Sequence, residues 1–314
     1  MASMNRVSTL PLALACWDAG VFPSLMIPFQ PEDSSTLMSH KDRRDAINQT
    51  LSEFKKITGN CDVVLGLTYA ELDDPDTMKL IVDYQISHVE LFSTVDHTGF
   101  YNPMRNKYQQ LYEAWFVEKI KTHSSIRFIE RCRQVQSSVN STAVGIRGSD
   151  AAGGTNPELT TRQMFDQQRQ LTPDAVLIPY GGVGTPEQVA YYLEAGAVAV
   201  AVGTLFAACT ESPLSTETKN AMISASVDHL IRLPDSKQNM LPMGQWVDII
   251  DSKGQTGSNR DGSLHAGIYG DGTVGHIYAG HGIQHVDRIR TVKETVEYLI
   301  EDYHTAKLLE SLLK

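Results

Sequence analysis

Two short stretches of this chain put glycine where a strand should hand over to a helix: Gly181-Gly182-Val183-Gly184 after Ile178-Pro179-Tyr180, and Gly203-Thr204 after Val200-Ala201-Val202. Glycine lets backbone N–H groups approach an anion closely, so each stretch could cradle a phosphate. Tight strand-to-helix turns also favour glycine for their own sake, and either stretch alone fits that plainer use. Two of them at consecutive strand ends, separated by one helix, point to phosphate binding. A third turn, Arg147-Gly148-Ser149-Asp150-Ala151-Ala152-Gly153-Gly154-Thr155-Asn156-Pro157, carries two more glycines to the same rim.

Few titratable groups stand near these turns. Asp150 is the only acid in the glycine-rich turn: in a dry site its pKa would rise and it could serve as a base, whereas in a wet one it caps or salt-bridges within the turn. His97, in Ser93-Thr94-Val95-Asp96-His97-Thr98-Gly99, follows a strand and has Asp96 beside it. It is therefore a candidate catalytic imidazole, the alternative being a solvated loop histidine. His276 and His281 suit structural or surface roles, and His88 opens a strand at the opposite face.

The elements that must position these residues alternate. Apolar, β-branched runs at 21–27, 61–67, 88–93, 127–131, 142–147, 175–179 and 198–202 read as strands. Helical patterns fall between them at about 9–19, 41–58, 76–84, 104–121, 160–170 and 185–195. Thr185-Pro186-Glu187 is a helix start, with a capping hydroxyl, proline at the first helical position and an acid in the first turn. This alternation predicts an α/β fold, a (β/α)₈ TIM barrel whose first strand is nearly missing. Only Met1 to Arg6 precede the first helix, so they form a stub or the chain is truncated. Residues 211–275 break the rhythm, with a helix near 217–232 and then a Gly-, Asp- and Ser-rich stretch, and read as a cap inserted after strand 8. The barrel is then 1–210 plus 276–314, closed by a helix over 292–313.

Bulk properties narrow the class. Hydrophobic content of 41% and charged content of 20% suit a globular chain with a sizeable core. A formal net charge of −10 argues against nucleic acid as a partner. The scattered Cys16, Cys61, Cys132 and Cys209 form no metal-binding spacing and read as buried thiols of a cytoplasmic protein. Arg6 followed by the apolar run Leu10 to Cys16 mimics a secretory signal. That run is too short, is broken by Pro11 and ends in a glycine-capped helix, Trp17-Asp18-Ala19-Gly20, and no stretch is long enough to cross a bilayer.

The order of the turn from Arg147 to Pro157, then residues 178–184, then Val200-Ala201-Val202-Gly203-Thr204-Leu205-Phe206 with Glu211-Ser212 behind it, resembles the nitronate monooxygenase (2-nitropropane dioxygenase-like) family. Met4 through Gly20 and Tyr278-Ala279-Gly280-His281-Gly282 extend the likeness more loosely to both ends. The resemblance implies a flavin mononucleotide (FMN) barrel and a flavin-dependent oxidoreductase. It implies phosphate binding by backbone at Gly181, Gly182, Gly203 and Thr204, with Gly153 and Gly154 close to the cofactor and Met4 near the flavin ring. Arg147 stands where the family commonly has glutamine, and there a cation could stabilise negative charge on reduced flavin or substrate, or bridge the barrel mouth as a salt bridge. Thr155 stands where the family keeps a histidine; its hydroxyl can hydrogen-bond a substrate but cannot act as a base. The implied substrate is a small carbanion-forming molecule such as a nitronate, with O₂ or NAD(P)H as redox partner. The rival expectations are reduction of an enoyl thioester and a non-catalytic flavin- or phosphate-binding barrel. Self-association into a homo-oligomer is left open.

Overall fold

The computed structural model describes residues 1–28, 38–92, 117–132, 135, 137, 139, 142–153, 158–233, 238–244, 260–270 and 274–301. Six strands pair in parallel and in chain order: β1 (Ser24–Leu25), β2 (Val64–Thr68), β3 (His88–Phe92), β4 (Arg127–Cys132), β5 (Ala143–Ile146) and β6 (Leu177–Pro179). Their side chains alternate between two environments, as the two-residue period of a strand requires. Leu65, Leu67, Val89, Leu91 and Phe128 face outward and pack with Ile47, Leu51 and Phe54 of helix His40–Thr58 and with Met78 and Ile81 of helix Pro75–Asp83. Val64, Ile129, Ala143, Ile178, Tyr180 and Ala201 face inward and share a single cluster. Flat strands at ordinary spacing would hold β2 and β6 about 19 Å apart. Their common inner cluster shows that the sheet curls.

The strand expected at 198–202 is reduced to a parallel bridge, Tyr180↔Ala201, supported by bonds from Ala201 N–H to Pro179 O (2.9 Å) and Val198 N–H to Leu177 O (3.2 Å). The N-terminal residues form no regular strand, and Arg6 takes a positive φ of 63°. They still join the two sheet edges. Ala2 N–H donates to Val202 O (2.9 Å), Met1 N to Phe22 O (2.8 Å) and Met26 N–H to Ser8 O (3.2 Å).

Helix starts follow their capping chemistry. Thr185 accepts from Gln188 N–H and Gln188 bonds back to the cap backbone, with Pro186 opening the helix Pro186–Glu194. Thr160 and Gln163 do the same for Thr161–Leu171. The long helix expected near 217–232 ends early, at Ile223. Ser226 and His229 form a local capping pair that restarts the chain as a 3₁₀ turn, Val227–His229, so the backbone has an alternative to continued helix. Beyond it β7 (Ile231–Arg232), β8 (Asn239–Gly244) and β9 (Val274–Tyr278) make an antiparallel sheet that spans the expected end of the cap at position 275. Of the expected helix at 104–121, residues 117–121 are described and helical; of that at 292–313, residues 292–301 are.

The largest core cluster sits behind β5 and β6 and includes Phe165, Tyr192, Leu205 and Phe206. Phe54, Phe128 and Phe165 are fully buried, each contributing roughly 1.5–3 kcal/mol. Cys16, Cys61 and Cys209 are buried free thiols, as expected from their scatter. Among the described residues no helix is long and apolar enough to cross a membrane, and no three His, Cys, Asp or Glu side chains cluster as a metal site.

Candidate functional site

The expected ligand turns meet at the carboxyl ends of β5, β6 and the bridge strand. Two residues beyond the Tyr180↔Ala201 bridge, both chains reach their glycines, Gly182 on one and Gly203 on the other. Gly181 and Gly182 have φ of 93° and 71°, which side-chain-bearing residues rarely adopt. A Cβ on Gly181 would lie 2.3 Å from Ala151 Cβ, and one on Gly182 2.1 Å from Asp150 Oδ2. The glycine-rich turn is thus pressed directly against the pair. Gly203 faces Met4, whose Sδ would be 3.3 Å from an added Cβ. The Arg147 guanidinium lies against Gly153, with Nη1 2.4 Å from an added Cβ. Six expected site residues besides Asp150, namely Met4, Arg147, Gly153, Gly181, Gly182 and Gly203, therefore gather on one rim, and Thr204 joins them as the first residue of the short helix Thr204–Ala207.

Asp150 makes the capping contact expected of a turn acid. Its Oδ1 accepts from Thr161 N–H (2.6 Å) and Thr161 Oγ1 (2.7 Å), capping the helix that follows the turn. Gly154, Thr155 and His97 lie outside the described residues. His276 is fully buried in the antiparallel sheet, edge-on to Tyr278, in a structural setting. His88 meets Phe22 edge-to-face at the opposite end of the sheet; burial, then the Arg127 charge, lowers its pKa. His281 meets the glycine-rich turn only through its backbone N–H.

Two inward-facing charges were not singled out in the sequence. Glu90 on β3 is fully buried and paired with Arg131 Nε on β4, while Arg131 Nη2 donates to Ser3 O (3.0 Å), beside Met4. Burial, and after it the Glu90 carboxylate, push the Tyr180 phenol well above its ordinary pKa, so it stays protonated. A charge amid the apolar residues of Val89-Glu90-Leu91 was a readable signal for Glu90, whereas Arg131 lies on a strand that also carries Arg127 and Glu130 and gave none. Asn239, discussed below, gave none, because its partners are nearly ninety positions away in the chain.

The residues present fit a phosphorylated ligand. The N–H groups of Gly182, Gly203 and Thr204 have no acceptor among the described residues. Arg147 supplies a nearby cation, and Asp150, the nearest acid, is engaged in capping. The curled parallel sheet makes this an α/β protein, and the donors left without an acceptor among the described residues make its carboxyl strand ends the candidate ligand site. A family model described as nitronate monooxygenase matches residues 36–302, and the chain belongs to that family of FMN-dependent oxidoreductases.

Solved structures share the fold. FabK from Thermotoga maritima is 20% identical with a TM-score of 0.70, covering 99% of this chain and 94% of that one. A nitroalkane oxidase from Streptomyces ansochromogenes is 17% identical with a TM-score of 0.66, covering 98% and 96%. The enoyl reductase domain of MlnA from Bacillus amyloliquefaciens is 12% identical with a TM-score of 0.65, covering 99% and 94%. No curated protein matches the chain.

Proposed function

We propose that this protein is a cytosolic FMN-dependent oxidoreductase of the nitronate monooxygenase type, acting on a small carbanion-forming substrate with O₂ as acceptor. The observation that carries the reading is the set of N–H groups at Gly182, Gly203 and Thr204 with no acceptor among the described residues, together with the Arg147 cation at Gly153 of the neighbouring turn. In this reading residues 1–210 and 276–314 form a closed (β/α)₈ barrel, with Met1 to Arg6 standing in for its first strand and 211–275 as the cap. Gly181, Gly182, Gly203 and Thr204 hold the phosphate through their backbone, and Gly153, Gly154 and Met4 flank the rest of the cofactor. Bound FMN supplies the electron-transfer chemistry.

The chain's own residues bind and orient. Arg147 stabilises negative charge at the rim, an effect that grows where water is excluded. Protonated Tyr180 and the Glu90–Arg131 pair form a polar, fixed floor under the same rim. Asp150, tied to Thr161, holds the turn in place and takes no proton from substrate. That leaves His97 as the candidate proton acceptor and Thr155 as a hydrogen-bonding group. His97→Ala should then slow flavin reduction by substrate without releasing flavin, and an unaltered rate removes His97 from the site.

The deciding experiment mixes FMN-loaded protein anaerobically with a nitronate, with NADH and with NADPH, following the visible flavin band. Bleaching by the nitronate is expected. Bleaching by NADH or NADPH alone would overturn this reading in favour of enoyl-thioester reduction.

A further inference from the structure

The antiparallel sheet is tied to the glycine-rich turn. Four consecutive carbonyl groups of the glycine-rich turn, those of Ser149, Asp150, Ala151 and Ala152, are all taken by this sheet and the segment after it. Asn239 Nδ2 donates to Ser149 O (2.7 Å) and to Ala151 O (2.8 Å), and Asn239 N–H donates to Ala152 O (2.9 Å). Arg232 Nη1 adds a second bond to Ser149 O (2.7 Å), and His281 N–H takes Asp150 O (2.8 Å). Both acceptors facing the Asn239 side chain are carbonyl oxygens, so its amide nitrogen must point at them. Asn239 is buried, and these bonds are short and direct. Gly280 lets the chain press close behind them, since a Cβ there would lie 2.6 Å from Asp150 O.

A trans peptide holds its C=O and the following N–H on opposite sides. Drawing the carbonyls of residues 149 to 152 toward the sheet therefore turns the N–H groups of residues 150 to 153 away from it. Of these, only Ala151 N–H has an intramolecular acceptor among the described residues, Gly148 O at 3.3 Å, while those of Asp150, Ala152 and Gly153 have none. The turn that carries them packs on Gly181 through the Ala151 methyl group and on Gly182 through the Asp150 carboxylate.

We propose that Asn239 is a positioning residue that sets the affinity for the phosphorylated cofactor, by clamping the glycine-rich turn against Gly181 and Gly182 with its backbone N–H groups turned away from the sheet. The proposal rests on the FMN reading above and adds the mechanism by which the cap tunes it. It assigns Asn239 no contact with cofactor or substrate.

The test titrates FMN and riboflavin separately into flavin-free protein, as the unaltered chain, Asn239→Asp and Asn239→Ser. Riboflavin shares the ring and ribityl chain but lacks the phosphate, so it separates anion binding from general damage to the site. Losing donors aimed at a charged group should raise the FMN dissociation constant about tenfold or more, with riboflavin affinity nearly unchanged. Asn239→Asp, which also sets a carboxylate against two carbonyl oxygens, should show the larger effect. Equal weakening of both flavins, or no change in either, overturns the proposal. Should Asn239→Asp fail to fold, the uncharged Asn239→Ser decides by the same pattern. If the unaltered chain binds neither flavin, the FMN reading itself fails; if it binds FMN and the variants bind it equally well, only the clamp is refuted.

Discussion

The carboxyl ends of β2 and of β6 face the same problem, strand ends that leave polar groups exposed, and answer it in opposite ways. At β2 the buried charges are paired among the described residues. Glu71 accepts from Thr68 N–H (2.8 Å), from Thr68 Oγ1 (2.9 Å) and from Arg43 Nε (2.5 Å). Arg43 in turn donates to Ile27 O (2.5 Å) and Pro28 O (2.8 Å), and both charged side chains are almost fully buried. At β6 and the bridge strand, glycines stand at the turns and the N–H groups of Gly182, Gly203 and Thr204 have no acceptor among the described residues. The first knot stabilises the fold. The second leaves donors that the proposed cofactor phosphate would take.

The sharpest way to break this contrast is Gly203→Val. Its φ of −112° suits any residue, and the added Cβ meets only the flexible Met4 side chain and Ala2, so the protein should fold. It should nevertheless retain no FMN through purification, because the branched side chain enters the cradle. Unchanged flavin occupancy in this variant would remove Gly203 from the site.

Glu71→Ala should act in the converse way. Stranding the buried Arg43 guanidinium is expected to cost about 3–5 kcal/mol in urea unfolding, with FMN content per folded molecule unchanged. A loss below about 1 kcal/mol, or selective loss of flavin, would show that the β2 knot is not purely structural.

Behind the ligand turns, Cys209 and Cys16 sharpen the contrast more gently. Burial pushes the Cys209 thiol up to about 12 and the Cys16 thiol to about 11, from an ordinary value of 9.0. Both resist ionising in the folded state, so their contribution to stability is complete below pH 9.0 and drains away as pH climbs toward those raised values. Iodoacetamide at pH 8 should leave both unmodified in native protein. Rapid labelling of either would mean that the core behind β6 opens readily.

The smallest effect belongs to neither region. Lys79 and Asp83 pair at 2.5 Å on an exposed helix face, and Lys79→Ala should change stability by less than about 0.5 kcal/mol. A larger change in denaturant midpoint would show that this face is coupled to the core.

What could be read in advance follows the range of the interaction. Strands were legible because buried parallel strands require continuous apolar runs, and helix starts because Thr185-Pro186 and Thr160 cap within three residues. The glycine turns were legible because positive φ at Gly181 and Gly182 demands that residue type. Interactions between distant segments were not. The break after Ile223 depends on Ser226 and His229 competing locally with a good helical pattern. The bridge at Ala201 replaces a full strand whose apolar residues read like any other. The antiparallel sheet, and Asn239 reaching from it to Ser149 and Ala151, exist only once the chain has folded back. Asp150 shows the remaining ambiguity: a turn acid reads equally as base or cap until its distance to Thr161 is known.

The most direct test of the unspent donors is the flavin content of the purified, unaltered chain, measured after denaturation and identified by its phosphate. The expected result is a yellow protein releasing about one FMN per chain, with riboflavin a poor substitute because the phosphate anchors it. A colourless protein that takes up no added FMN would contradict it.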